Sequence, residues 1–310
     1  MRTGRPTIDN VARVRWSVLV LAVIVAVTAC GSDDDDSTGT VTTPSTSEPT
    51  PSSNGPTPSS SEPTPPSSQP TPSTTAQETL GAELVGRWAH YDVVAYRDDL
   101  FKTLIISYGF NDFDEIDGRI VDTAEFCFSE QRTDQPIETS FSDAATQAIK
   151  PPPTPVEIDV VDGVLRLRRP ATPTPVGIRL DDPAVEALPT DPADPRIVDD
   201  DGDGNPGVTV TIRVGDDLTG ELYIARREIF AYDVLLTEPD TLTGTVTDDS
   251  EQLVIGASDP AFAISPANWG QYPDLSKSPI ILRRVDADWD CERLAAERDS
   301  LFPPTPVVDW

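Results

Sequence analysis

The chain is predicted to be mainly β: an antiparallel barrel or sandwich of about 8–11 short strands with a C-terminal helix. Three observations lead there. From Gly86 onward, most segments alternate apolar and polar residues two by two or run in β-branched residues, and Gly, Pro, Asp or Asn bound them. Asp117-Gly118 and Asp162-Gly163 each sit between two such runs, as tight hairpin turns do. A well-capped helical stretch comes only near the end.

The elements follow in order. Thr75 to Glu78 reads as a capping box that opens a short helix through Leu80, Leu84 and Val85. Strands are expected at 88–96, 103–110, 119–132, 156–161, 164–168, 177–180, 208–214, 221–227, 243–247, 252–257 and 279–285. Asp290 can cap the final helix, in which Cys291, Leu294, Ala295, Arg298, Leu301 and Phe302 share one face. Pro303 and Pro304 stop it.

Charge narrows the function. The 310 residues carry 23 Lys and Arg against 53 Asp and Glu, a formal charge of −30, which repels phosphate backbones and argues against a nucleic-acid partner. Proline numbers 32, about twice the usual share, and clusters outside the expected strands.

The first residues carry Arg2, Arg5, Arg13 and Arg15, followed by an apolar run at 18–27 that is too short to span a bilayer. Val27-Thr28-Ala29-Cys30 then resembles the lipobox of bacterial lipoproteins. The resemblance implies a signal peptide at 1–29, cleavage before Cys30, and diacylglyceryl and palmitate-type acyl chains on that cysteine. It also implies a cell-envelope protein whose first partner is the membrane. Gly31, rather than aspartate, follows the cysteine, which points to the outer membrane if the cell is Gram-negative. Between 31 and 78, ten residues are proline and 23 are serine or threonine, with none aromatic or basic. Together with Cys30, residues 30–78 read as a lipidated, disordered tether, because such a segment cannot bury enough apolar surface to offset its ordering entropy. Residues 79–310 form the expected extracytoplasmic domain.

With Cys30 acylated, Cys127 and Cys291 remain, and outside the cytoplasm two thiols pair readily. Two cysteines and one distant histidine do not make a zinc set. His90, the only histidine, alternates with Trp88 and Asp92 on one strand face and reads as a half-exposed strand residue. No nucleophile elbow accompanies it, and no residue is nominated as catalytic.

The densest acidic loop is 199–207. Asp199, Asp201 and Asp203 alternate, Gly204 permits a sharp turn, and the carbonyl of Asn205 is the next candidate ligand for calcium. The loop resembles the Asp-x-Asp-x-Asp-Gly calcium loops of EF-hands, dockerin-type repeats and integrin-type propeller blades. Val210 stands where an EF-hand carries its bidentate glutamate, and Gly207 stands where the propeller loop carries its last aspartate, so weak affinity is expected. The Gly202, Gly204, Gly207 spacing also matches a dinucleotide fingerprint, but a strand follows it and its aspartates repel pyrophosphate.

Trp269 and Tyr272 lie in a turn-rich loop, where aromatics stack on a ligand or cover a small core. Gly86-Arg87-Trp88 at the head of the first strand is similar to the lipocalin opening motif, and a late helix is lipocalin-like as well. Three functions stand: a non-catalytic envelope binding or structural module ordered by calcium, a glycan or peptide hydrolase using a carboxylate pair, and a lipocalin-like carrier with an apolar cavity of several hundred Å³. The envelope or extracellular ligand is unknown from the sequence.

Overall fold

Asp117 and Gly118, at φ 52° and 73°, and Asp162 and Gly163, at φ 53° and 83°, make the two Asp-Gly turns with both central residues left-handed, as a type I′ hairpin requires. The computed structural model describes residues 81–98, 101–189, 191–215, 218–260, 262–263 and 270–310. All fall in the second of two units into which the chain divides, Ser67–Trp310. The signal peptide, Cys30, the tether and the capping box at 75–78 lie outside the described residues, as does Trp269.

The first strands are β1 (Gly86–Arg97), β2 (Lys102–Ile116), β3 (Arg119–Thr133) and β4 (Ile137–Phe141), followed by helix α1 (Asp143–Gln147). The chain continues through β5 (Thr154–Pro155), β6 (Glu157–Val161), β7 (Val164–Arg169), β8 (Thr174–Val176), β9 (Val208–Val214) and β10 (Leu218–Glu228). It ends with β11 (Phe230–Glu238), β12 (Thr241–Asp248), β13 (Glu251–Ala257), β14 (Gly270–Gln271), β15 (Pro279–Arg284) and helix α2 (Cys291–Leu301).

These strands form two sheets. The larger runs β5-β3-β2-β1-β15-β12-β11-β7-β6, with β14 beside β1. Its two ends belong to one stretch of chain: β5 pairs with β3, β6 pairs with β7, and Val156 between them donates its N–H to Ile120 O at 2.9 Å. The sheet therefore nearly closes on itself. Read around the wall, β1, β2, β3, β5/β6, β7, β11, β12 and β15 follow in chain order and return to β1, an antiparallel up-and-down barrel. Near-closure leaves only the short strands β5 and β6 at the seam, so little edge remains to pair with other chains.

The smaller sheet, β13-β10-β9-β4 with β8 beside β10, is built from segments inserted between barrel strands. Only Ile229 separates β10 from β11, so one extended stretch passes from the small sheet into the barrel wall.

β1 is buried on both faces. Trp88, Val94 and Tyr96 point into the barrel core with Leu167, Val234, Leu242 and Leu282. Ala89, Tyr91, Val93 and Ala95 point outward, where α2 and the C-terminal segment cover them with Leu294 and Phe302. Asp290 caps α2 by accepting from the Arg293 N–H. A register shift between Tyr108 and Gly109 leaves Cys127 of β3 as the bulged residue, and Cys127 bonds Cys291 at the first residue of α2 with Cα atoms 5.3 Å apart.

Four details differ from the sequence reading. β11 is a strand that the sequence reading did not include; Tyr232 and Val234 alternate inward around Asp233 and find the barrel interior. The strand expected at 177–180 ends instead at Val176, since Gly177 is left-handed at φ 69° and lies against the backbone of Gly207. The short helix α1, unforeseen, is capped by Ser142. The proline-rich stretches at 151–155 and 170–175 are not merely loops: they end in the edge strands β5 and β8, where a missing N–H is tolerated.

Candidate ligand cavity and buried polar network

The inward residues of β1 run from one end of the barrel to the other. At one end, the Trp88 ring meets Phe113 edge-on at 6.4 Å, and its Nε1 donates to Leu84 O at 2.8 Å. The Arg284 guanidinium stacks 4.2 Å over that ring and donates to the carbonyls of Val85 and Glu83. This end is filled.

A polar chain crosses the middle. His90 is 2 % exposed rather than half-exposed, because the barrel closes around the face it shares with Trp88. Gly109 makes its room: a Cβ there would lie 2.7 Å from His90 Cε1. Asp122 and Arg169, both fully buried, pair at 2.8 Å. Asp122 also accepts from Asn111 Nδ2 at 2.8 Å and from the Tyr232 hydroxyl at 2.9 Å. With its amide nitrogen bonded to Asp122, Asn111 presents its oxygen to His90 Nδ1 at 3.0 Å, so the histidine proton sits on Nδ1. Nε2 is left as a lone pair without a hydrogen-bond partner, 3.7 Å from Asp92 Oδ1. Burial, opposed by Asn111, lowers His90 to about 4 and keeps it neutral. Burial, reinforced by Asp248 and Glu228, raises Asp92 to about 8.

Asp92 opens onto the far end of the barrel, where the small sheet covers the mouth. A cavity of about 70 Å³ lies between Asp92, Val94, Phe126, Val176, Phe230 and Val246. A second, of about 210 Å³, adjoins it between Phe101, Ile212, Leu222, Ile224 and Phe262. The two share Ile105, Phe141 and Arg226. The polar residues at their junction are fixed by one another. Buried Arg226 donates to Glu228 and to Gln252 Oε1 at 3.1 Å, and reaches the Tyr96 hydroxyl at 3.5 Å. Tyr96 hydrogen-bonds Asp248, which accepts from the Ser250 N–H at 3.0 Å and its hydroxyl at 2.8 Å. Burial and the nearby Glu228 raise the Asp248 carboxyl above its usual range. The arrangement is an apolar chamber with a polar inner end, suited to holding a small amphipathic molecule.

The residues nominated from the sequence lie elsewhere. Cys127 and Cys291 form the disulfide. The carboxylates of Asp199, Asp201 and Asp203 lie within 4.8 Å of one another. Asp199 accepts from the N–H groups of Gly202 and Gly204, and Asp203 from the N–H and side-chain amide of Asn205 and from the Thr209 hydroxyl. Asp201 Oδ1 has no partner while its Oδ2 accepts from the Thr209 N–H, so the loop leaves one buried oxygen for a cation. Tyr272 packs against Trp310 with ring centres 4.1 Å apart and belongs to the core under the C-terminal segment.

Asp92, Asn111, Asp122, Arg169, Arg226, Glu228, Tyr232 and Asp248 were not foreseen. Two signals were present. Leu165, Leu167 and Arg169 alternate on one face of β7, and Leu222, Ile224 and Arg226 on one face of β10, so each strand sends an arginine to its apolar side.

Comparison of the chain with family models, with curated proteins and with solved structures finds no match. The functional reading therefore rests on the residues themselves.

Proposed function

We propose that this chain is an envelope lipoprotein, held to the membrane through Cys30, whose barrel domain binds a small, largely apolar ligand without chemistry on it, in the manner of a lipocalin-like carrier. The observation that carries the reading is the pair of adjoining apolar cavities at the mouth of an up-and-down barrel whose other end is filled. The lipobox and the basic and apolar segments before it support the location.

The test uses the secreted Cys30→Ala chain, which has no acyl chains to compete for the cavity. Naphthalene, a neutral arene, is expected to bind at one saturable site by NMR titration. Ile212→Trp, which fills the larger cavity, is expected to abolish that binding. Absence of saturable binding in the parent chain, or equal binding by the variant, would remove the carrier reading.

Calcium at Asp199, Asp201, Asp203 and the carbonyl of Asn205 is the second part of the proposal. The convergent carboxylates and the orphan oxygen of Asp201 support it. For an affinity of ~10⁻⁴–10⁻³ M, 10 mM calcium should stabilise the domain by about 1.4–2.7 kcal/mol. A calorimetric scan with and without calcium measures this, and Asp201→Ala should erase the difference. A melting temperature indifferent to calcium in the parent chain would dismiss the ion.

A further inference from the structure

The polar end of the mouth cavity holds an excess of acid. Three carboxyl groups, those of Asp92, Glu228 and Asp248, line it against a single guanidinium, Arg226. Two of the acids are engaged. Glu228 is bonded by Arg226, and Asp248 by the Ser250 N–H and hydroxyl and by Tyr96. Asp92 is not. It is 8 % exposed, lines the cavity, and makes no hydrogen bond with any described residue; the neutral His90 ring lies 3.7 Å away, and the other charges that act on it, Asp248 and Glu228, are acids. Ionising a carboxyl buried without a donor is costly and holds Asp92 toward its protonated form, so a group that brings N–H donors and positive charge removes that cost and is favoured there.

Among the described residues, the trio of carboxylates that closes to within 4.8 Å is the one at 199–203, and Asp92, Glu228 and Asp248 do not close in this way. The interior acids are thus spread too widely to share a metal ion. The walls beside them are apolar: Val94, Phe126, Phe230 and Val246, then Ile224 and Phe262 in the adjoining chamber.

We propose that the barrel mouth binds an organic ammonium ion, its N–H donors meeting the unpartnered Asp92 carboxyl and its short apolar body lying between Phe126 and Phe230 and reaching toward Ile224. The inference rests on the carrier reading and names its ligand class. Arg226 is already paired with Glu228, so a carboxylate ligand finds no free cation in the site, whereas an ammonium can hold the Asp92 carboxyl in its ionised form.

The experiment titrates the secreted Cys30→Ala chain by calorimetry with hexylammonium, hexan-1-ol and hexanoate, and repeats each titration with Asp92→Asn. Hexylammonium is expected to bind at least tenfold more tightly than hexanol, and hexanoate not at all. In Asp92→Asn the advantage of the amine should shrink to about twofold or less while hexanol binds as before. The ratio in the parent chain decides the matter even if the variant fails to fold. Equal affinity for amine and alcohol, tighter binding of hexanoate, or a preference that survives Asp92→Asn in a folded variant would overturn the inference while leaving the carrier reading in place. Binding of naphthalene without any of the three would do the same. Failure of naphthalene and all three probes together would bring down the carrier reading and this inference with it.

Discussion

Asp122→Ala is expected to destabilise the barrel by about 3–5 kcal/mol, the range found when one partner of a buried ion pair is removed. Asp122 and Arg169 are both fully buried, so the guanidinium would remain in the interior without its counter-ion. The Asn111 amide and the Tyr232 hydroxyl would each lose their acceptor as well, and an unsatisfied buried donor costs about 1–3 kcal/mol. The disturbance should extend to His90, whose tautomer is set by Asn111. Removing both charges is a different matter. Asp122→Leu combined with Arg169→Met places apolar groups of similar volume in the barrel, and such replacements are commonly neutral or stabilising. Urea midpoints of the two single variants and the double variant, closed as a double-mutant cycle, measure the coupling. A loss below about 1 kcal/mol for Asp122→Ala would show that the pair does not hold the barrel together.

Loss of the Cys127–Cys291 bridge is the second large effect. It spans 164 residues and ties the bulge of β3 to the start of α2, across the outer face of β1 and β2. Closing a loop of that length in the unfolded chain is worth about 5 kcal/mol in the chain-entropy model, and removal of native bridges commonly costs about 2–5 kcal/mol. At about 2–4 °C per kcal/mol for a domain of this size, Cys127→Ser together with Cys291→Ser should lower the melting temperature by roughly 5–15 °C. Reductant should do the same to the parent chain. Thiol titration of envelope-derived protein should find both cysteines unreactive, and two free thiols there would contradict both the bridge and the compartment that permits it. A change of less than about 2 °C would mean that the packing of Leu294 and Phe302 on β1 and β2 suffices without it.

The alternation of Trp88, His90 and Asp92 says that they share a face, and both Asp-Gly turns are legible from their own two residues. Asp290 as a cap and the prolines that stop α2 are local in the same way, and each is found in its expected role. The disulfide was legible because only two cysteines remain once Cys30 is assigned to the lipid. In each case the physics acts within a few residues, through φ preference, a capping oxygen, or a choice among very few partners.

Which face of β1 becomes the interior is not local. It depends on β15 returning to pair with β1 and on residues 154–161 joining β3 to β7, contacts made across most of the chain. Only that closure turns His90 from a surface residue into a neutral buried one, sets Asp122 against Arg169, and collects acids from β1, β10 and β12 around one cavity. Periodicity and turn residues established a β-rich domain, and the resemblance of the segment ending at Cys30 to a lipobox implied an envelope address as an expectation. The tertiary structure alone decided where the buried charges meet, because desolvation and pairing depend on neighbours that strand registry brings together over more than a hundred residues.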